Sequence, residues 1–240
     1  MATFFYAHPY FFADLLGLAV VLAGFIVAGN QRQAMVIGGL GLVPLTPLAV
    51  LHQEAYWSPV RLTALPVGIE DVMFLFQTGA MAWLMSVWVF RRKLRLNPRT
   101  LPFLRRYAAL AGVAVALVLV FWILGIEIMT ASLAALIIIS LAALALRPSL
   151  WPLAAAGAVC HTAFYFALVR FCFWVWPDFV SYWNPAHPWF RLVLGVPVGE
   201  LAFTLVVGGA YPLCVGYELE AVLDKRSSAE RRAAARNEPN

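Results

Sequence analysis

Glu70 and Asp71 stand side by side in the run Leu65-Pro66-Val67-Gly68-Ile69-Glu70-Asp71-Val72-Met73-Phe74, just inside a stretch apolar enough to cross a bilayer. Ionisable side chains in such a stretch are costly and point to function. A similar run returns later as Gly195-Val196-Pro197-Val198-Gly199-Glu200-Leu201-Ala202-Phe203. Asp14 lies about one turn inside the first apolar stretch, and Arg170 lies in the outer third of the sixth. The inferred site is therefore Asp14, Glu70, Asp71 and Glu200, with Arg170 as the nearby cation. Carboxyls gathered at membrane depth around one guanidinium cannot all be ionised comfortably, so at least one is expected to keep its proton. A buried carboxylic acid is the reagent of general-acid chemistry. Glu70 and Asp71 are consecutive, so on a helix they diverge by about 100° and cannot both face one cavity. A plainer reading stands beside this one: acids at a helix start also suit the positive end of its dipole.

The elements that hold these residues follow from composition. Of 240 residues, 63% are hydrophobic and only 12% charged, which places the chain among integral membrane proteins. A crossing takes roughly 20 apolar residues. Seven stretches qualify, at about 10–28, 34–51, 66–90, 107–125, 128–146, 150–175 and 193–218. No alternation of a β-barrel kind is present. The expectation is an all-α, multi-pass protein of the cell membrane with seven transmembrane helices. Residues 1–226 would form one transmembrane domain, and 227–240 a disordered cytoplasmic tail. Pro44 and Pro47 fall in the outer half of the second stretch and are expected to kink it.

Charge gives the orientation. Arg91, Arg92, Lys93, Arg95, Arg99, Arg105 and Arg106 share one loop, Arg32 and Arg147 occupy two more, and the tail is basic. The opposite loops hold only Arg61 and Arg191. With the basic segments cytoplasmic, the N-terminus is outside and the C-terminus inside. The net charge of +5 then needs no nucleic-acid partner; membrane lipid is the expected surroundings, and the basic loop could touch anionic lipid. Met1–Tyr10 has no Lys or Arg ahead of the apolar run, so a cleavable signal peptide is not expected. Cys160, Cys172 and Cys214 fall inside spans as small buried hydrophobes. His8, His52, Glu54 and His187 could meet outside but have no metal-ligand spacing, and no metal is expected. His161 reads as a hydrogen-bonded core residue. No Gly-rich dinucleotide fingerprint occurs, and no cofactor is expected.

The chain also repeats itself. Pairing Phe74 with Phe203 sets Asp71 against Glu200 and Gly79 against Gly208. Tyr56-Trp57-Ser58-Pro59 precedes the first copy and Tyr182-Trp183-Asn184-Pro185 the second. Repeat one would be 1–92 and repeat two 127–222, joined by a loop and helix over 93–126. Helices one to three and five to seven would then be parallel repeats about an axis along the membrane normal. Their acidic turns would share one depth in the outer third of the bilayer.

At these residues the chain resembles the integral-membrane lycopene cyclases, whose halves of about three helices occur as separate subunits or fused. Each half of that family has a Pro, an aliphatic residue, two acids, two residues and Phe after a tryptophan-containing loop. Gly68-Ile69-Glu70-Asp71-Val72-Met73-Phe74 matches the first copy with Gly at the Pro position. Pro197-Val198-Gly199-Glu200-Leu201-Ala202-Phe203 matches the second with Gly199 replacing an acid. The resemblance implies a linear carotenoid substrate and acid-catalysed closure of its end group. Glu70 or Asp71 would be the acid and Glu200 the partner carboxylate or base. Phe74, Phe203 and Trp57 would face the carbocation, with Asp14 and Arg170 in the substrate site. It leaves room for a homo-oligomer or for contact with other carotenoid enzymes. Gly199 makes a non-catalytic carotenoid-binding relative a second reading. A proton-coupled carrier of three, one and three helices is a third. A retinal protein is excluded, because Lys93 and Lys225 both lie outside the spans.

Overall fold

The computed structural model describes residues 2–53, 55–63, 65–90, 94–97 and 99–223. The helices are α1 (Ala2–Ala7), α2 (Pro9–Val27), α3 (Arg32–Leu42), α4 (Ile69–Val87), α5 (Thr100–Ile123), α6 (Ile128–Leu146), α7 (Trp151–Val175) and α8 (Val198–Glu218). Two antiparallel pairs of short strands also occur among the described residues. One joins β1 (Leu94–Arg95) to β4 (Val222–Leu223), and the other joins β2 (Leu192–Val193) to β3 (Val196–Pro197).

Among the described residues, six helical segments are long and apolar enough to cross a membrane, the make-up of a multi-pass all-α membrane protein. Helix α4 is not among them. Its 19 residues have the length of a crossing, but Glu70, Asp71 and Gln77 make it more polar, and it runs through the middle of the bundle. Helix α5 is the converse: Val118 alone is buried along it, and Leu119, Val120, Trp122 and Ile123 are exposed. Such a face suits lipid.

Glycines set the tightest packing. A Cβ on Gly79 would run into the Gly38 carbonyl between α3 and α4, and a Cβ on Gly157 would run into the Gly208 carbonyl between α7 and α8. Lipid tails offer no hydrophobic drive for helices to associate, so close backbone approach carries these interfaces. Tyr211 donates to the Gly38 carbonyl at 2.5 Å and ties the two pairs together.

Several boundaries differ from the sequence expectation: α5 begins at Thr100 rather than about 107, so Arg105 and Arg106 lie on that helix and not in the loop before it. The second stretch is α-helical only to Leu42, then tightens into a 3-10 run over Val43–His52. Pro44 and Pro47 lack the N–H groups that would continue the α ladder. Helix α4 starts at Ile69 rather than at Pro66, because the Gly68 N–H is taken by the Asp71 carboxylate at 2.8 Å. Before α8 the chain makes a β-hairpin, with Leu194 and Gly195 at positive φ in its turn.

The two ends of the bundle differ in chemistry. One end carries the starts of α2, α4 and α8 with their acids. At the other, β1 pairs with β4, and Arg106 meets Glu220 and donates to the Glu218 carbonyl at 3.3 Å. Arg32 donates there to the Phe25 and Ile26 carbonyls at the end of α2, at 2.9 and 2.8 Å. Arg91, Arg92 and Lys93 of the basic loop, and the tail from 224 on, lie outside the described residues.

Candidate functional site

The four acids named from the sequence are all buried: Asp14, Glu70, Asp71 and Glu200 are 2%, 0%, 3% and 6% exposed. Buried carboxyls need partners, and each of these meets a different set.

Asp71 is the most fully held. Arg61 donates from Nε and Nη2 to its two oxygens at 2.8 and 3.1 Å. Tyr10 donates to Oδ1 at 3.1 Å, and the Gly68 amide to Oδ2. A two-pronged guanidinium clamp is the strongest arrangement a carboxylate can have. Burial works against the Arg61 charge, but the hydrogen bonds and charge of Asp71 outweigh it and hold the guanidinium above its ordinary pKa.

Glu200 is held without a cation. Tyr56 and Trp183 Nε1 both donate to Oε1 at 2.9 Å, and Tyr165 donates to Oε2 at 2.7 Å. Burial, with Glu200 alongside, pushes the Tyr56 phenol well above its usual pKa, so it stays a donor. Gly199 explains how Tyr56 reaches the acid. Any Cβ at 199 would collide with the Tyr56 hydroxyl. At the position aligned with Glu70, Gly199 leaves space that the Tyr56 phenol fills.

Glu70 and Asp14 are less satisfied. Glu70 Oε1 accepts from the Leu62 amide at 2.6 Å, and Oε2 overhangs Gly68 with no hydrogen-bond partner. Asp14 Oδ1 accepts from Gln77 Nε2 at 2.5 Å; Asp14 Oδ2 and Gln77 Oε1 are buried without partners.

The two halves of the site meet through their loops. Trp57 and Trp183 form an antiparallel bridge, flanked by Ser58 N–H to Tyr182 carbonyl at 2.8 Å and Asn184 N–H to Tyr56 carbonyl at 2.9 Å. Their rings lie 4.5 Å apart, and Trp57 also meets the Tyr10 ring at 4.9 Å. A continuous series therefore runs from Asp71 through Tyr10, Trp57 and Trp183 to Glu200. Deeper in the bundle, Phe74 and Phe203 stack at 6.1 Å.

Beside this layer is an apolar cleft, with Gly17, Phe74, Gln77, His161, Phe164 and Tyr165 among its walls. At about 20 Å³ it has room for a single water. None of the four carboxyls lines it. Gln77 and Tyr165 do, and each donates to an acid behind it: Gln77 to Asp14 and Tyr165 to Glu200.

Arg170 is not the cation of this layer. It is exposed and packs over the hairpin turn at Gly195. The cation is Arg61, which the sequence gives only as an outer-loop charge. Tyr10, Tyr165 and Gln77 also escape sequence reasoning; the spacing of Tyr10 and Asp14, four apart on α2, is the one available signal. Tyr56, part of the repeated loop in the sequence, is buried. His161 donates from Nδ1 to the Thr204 carbonyl, 3.2 Å away, as a core histidine does. His52 contacts Ser132 and His187 contacts Glu127, so these rings face different partners; Glu54 lies outside the described residues.

Comparison with known protein families, characterised proteins and solved structures finds no match to the chain.

Proposed function

We propose that this chain is a membrane-embedded cyclase that closes the end group of a linear, lycopene-type carotenoid. The observation that carries the reading is the pairing of two buried acid clusters, Asp71 with Tyr10 and Arg61, and Glu200 with Tyr56, Tyr165 and Trp183, through the Trp57–Trp183 contact. The paired loops and the matched glycine contacts, Gly38 with Gly79 and Gly157 with Gly208, support two parallel three-helix repeats. In that reading α4 is the seventh crossing, the acids lie near the outer face and the C-terminus is cytoplasmic.

The chemistry needs no redox change. A carboxylic acid gives its proton to the terminal double bond, leaving a tertiary carbocation. The π electrons of a nearby double bond form the ring carbon–carbon bond and move the positive charge onto the ring. A base then removes an adjacent proton, and the ring double bond forms. Asp71, clamped by Arg61, is the acid least able to supply a proton. Asp14 has an unpartnered oxygen and sits behind Gln77 at the cleft, so it takes the donor role. Glu200, behind Tyr165, takes the base role. Glu70 and Asp71 fix the outer loop to α4. The rings of Phe74 and Phe203 offer π faces to the cation. The cleft must widen to admit an end group. Helices α2 and α7, which touch only lightly, are where it would part. The rest of the polyene would lie in lipid.

The test is expression in a lycopene-accumulating host, with chromatography of the pigments. Cyclised product from the wild type, lost in Asp14→Asn and Glu200→Gln, is the expected result. Unchanged lycopene with well-inserted protein would sink the proposal.

A further inference from the structure

The end of the bundle opposite the acids holds a second, larger cavity of about 430 Å³. Asn30, Gln31 and Gln33 wall it on one side, and Leu94, Arg95 and Leu219 on the other. Gln31 is 1% exposed, yet both its Nε2 and its Oε1 lack hydrogen-bond partners. A buried amide with neither end satisfied is costly, because it has lost water and gained nothing. The same side chain sits at the N-cap of α3, and no side chain caps that helix. The positive end of an 11-residue helix thus opens beside the unpartnered amide. The Arg32 side chain does not fill the gap, since it turns back to the carbonyls ending α2.

These features ask for one kind of ligand. The helix start and the Gln31 Nε2 donate, so they suit an anionic oxygen. The Gln31 Oε1 accepts, so it suits a hydroxyl or ammonium beside that anion. The leucine wall suits an apolar attachment. We infer that this cavity binds a phosphodiester or phosphomonoester group with a neighbouring hydrogen-bond donor, the chemistry shared by phospholipid headgroups and small soluble phosphates such as glycerol phosphate.

The experiment uses the full chain purified in detergent. Its thermal unfolding is followed with added phosphatidylglycerol, phosphatidylcholine or free glycerol 3-phosphate, and lipid retention is read by native mass spectrometry. The site predicts a saturable rise in unfolding temperature with phosphatidylglycerol over phosphatidylcholine, and about one lipid retained per chain. Gln31→Leu and Gln31→Glu should each weaken binding at least about tenfold, the loss expected when a hydrogen bond to a charged group goes. Stabilisation by glycerol 3-phosphate as strong as by the lipid supports the phosphoryl site and assigns it to a soluble ligand. No shift with either phosphate, or an equal shift in the wild type and in a folded Gln31→Glu protein, overturns it. Should Gln31→Leu fail to fold, Gln31→Glu, which keeps the size and shape of the side chain, carries the comparison.

Discussion

Trp57 and Trp183 face each other across an antiparallel bridge with their rings 4.5 Å apart, one from the loop before α4 and the other from the loop before α8. Trp57 reaches Asp71 through Tyr10, and Trp183 donates directly to Glu200. The loops therefore link the two acidic helix starts, alongside the direct packing of α4 on α8. Disturbing either loop should be felt at both acids.

The first prediction concerns the phenol of Tyr56, which lies against Gly199 and donates to Glu200. Gly199→Ala would drive its new methyl into the Tyr56 hydroxyl and break the bond to Glu200. Tyr56→Phe removes the same bond without a clash. Each should destabilise the fold by about 1.5–3 kcal/mol, the range for a hydrogen bond to a charged group. Because both act on one bond, the double variant should cost less than the sum of the singles. Thermal unfolding in detergent measures this, and full additivity would count against the assignment.

Arg61 gives the second. Asp71 is 3% exposed, so Arg61→Ala leaves a buried carboxyl stripped of its clamp. Removal of one partner from a buried ion pair costs about 3–5 kcal/mol. Adding Asp71→Asn should restore much of that loss, since no charge is left stranded. Arg170→Ala, at an exposed position, should change stability by no more than about 0.5 kcal/mol. Equal damage from the two arginine variants would refute the pairing described above.

A third contrast separates glycines by their surroundings. A Cβ at Gly157 meets the Gly208 backbone, which cannot give way, whereas a Cβ at Gly112 meets nothing within 4 Å. Gly157→Ala should force α7 from α8 and cost about 1–3 kcal/mol through overpacking. Gly112→Ala, in the middle of α5, should be neutral or stabilise by up to about 1 kcal/mol. Detergent unfolding curves of the two proteins, compared side by side, decide it.

Much of this molecule could be read from residue order. Long apolar runs mark the helices because the chain must satisfy its own backbone in lipid, and a helix does so locally. The acids stood out because charge is rare in such runs. The glycines at 79 and 208 stood out because they recur at matched spacing, and the Tyr-Trp loops because one precedes each acidic helix start with a small difference in length. What order could not supply was partnership. Arg170 lies in a span and Arg61 in a loop, so hydropathy favours the wrong arginine; only the folding back of residues 55–63 over α4 brings Arg61 to Asp71. Tyr10 and Tyr165 sit in apolar runs as ordinary aromatics until the bundle turns their hydroxyls onto carboxyls. The unpartnered Gln31 is likewise a neutral residue in a turn, and only the cavity around it reveals that it is unsatisfied. Local sequence sets which segments are helices, because that bonding is short-range. Which side chains meet across them depends on how helices pack, and that is decided by contacts far apart in the chain.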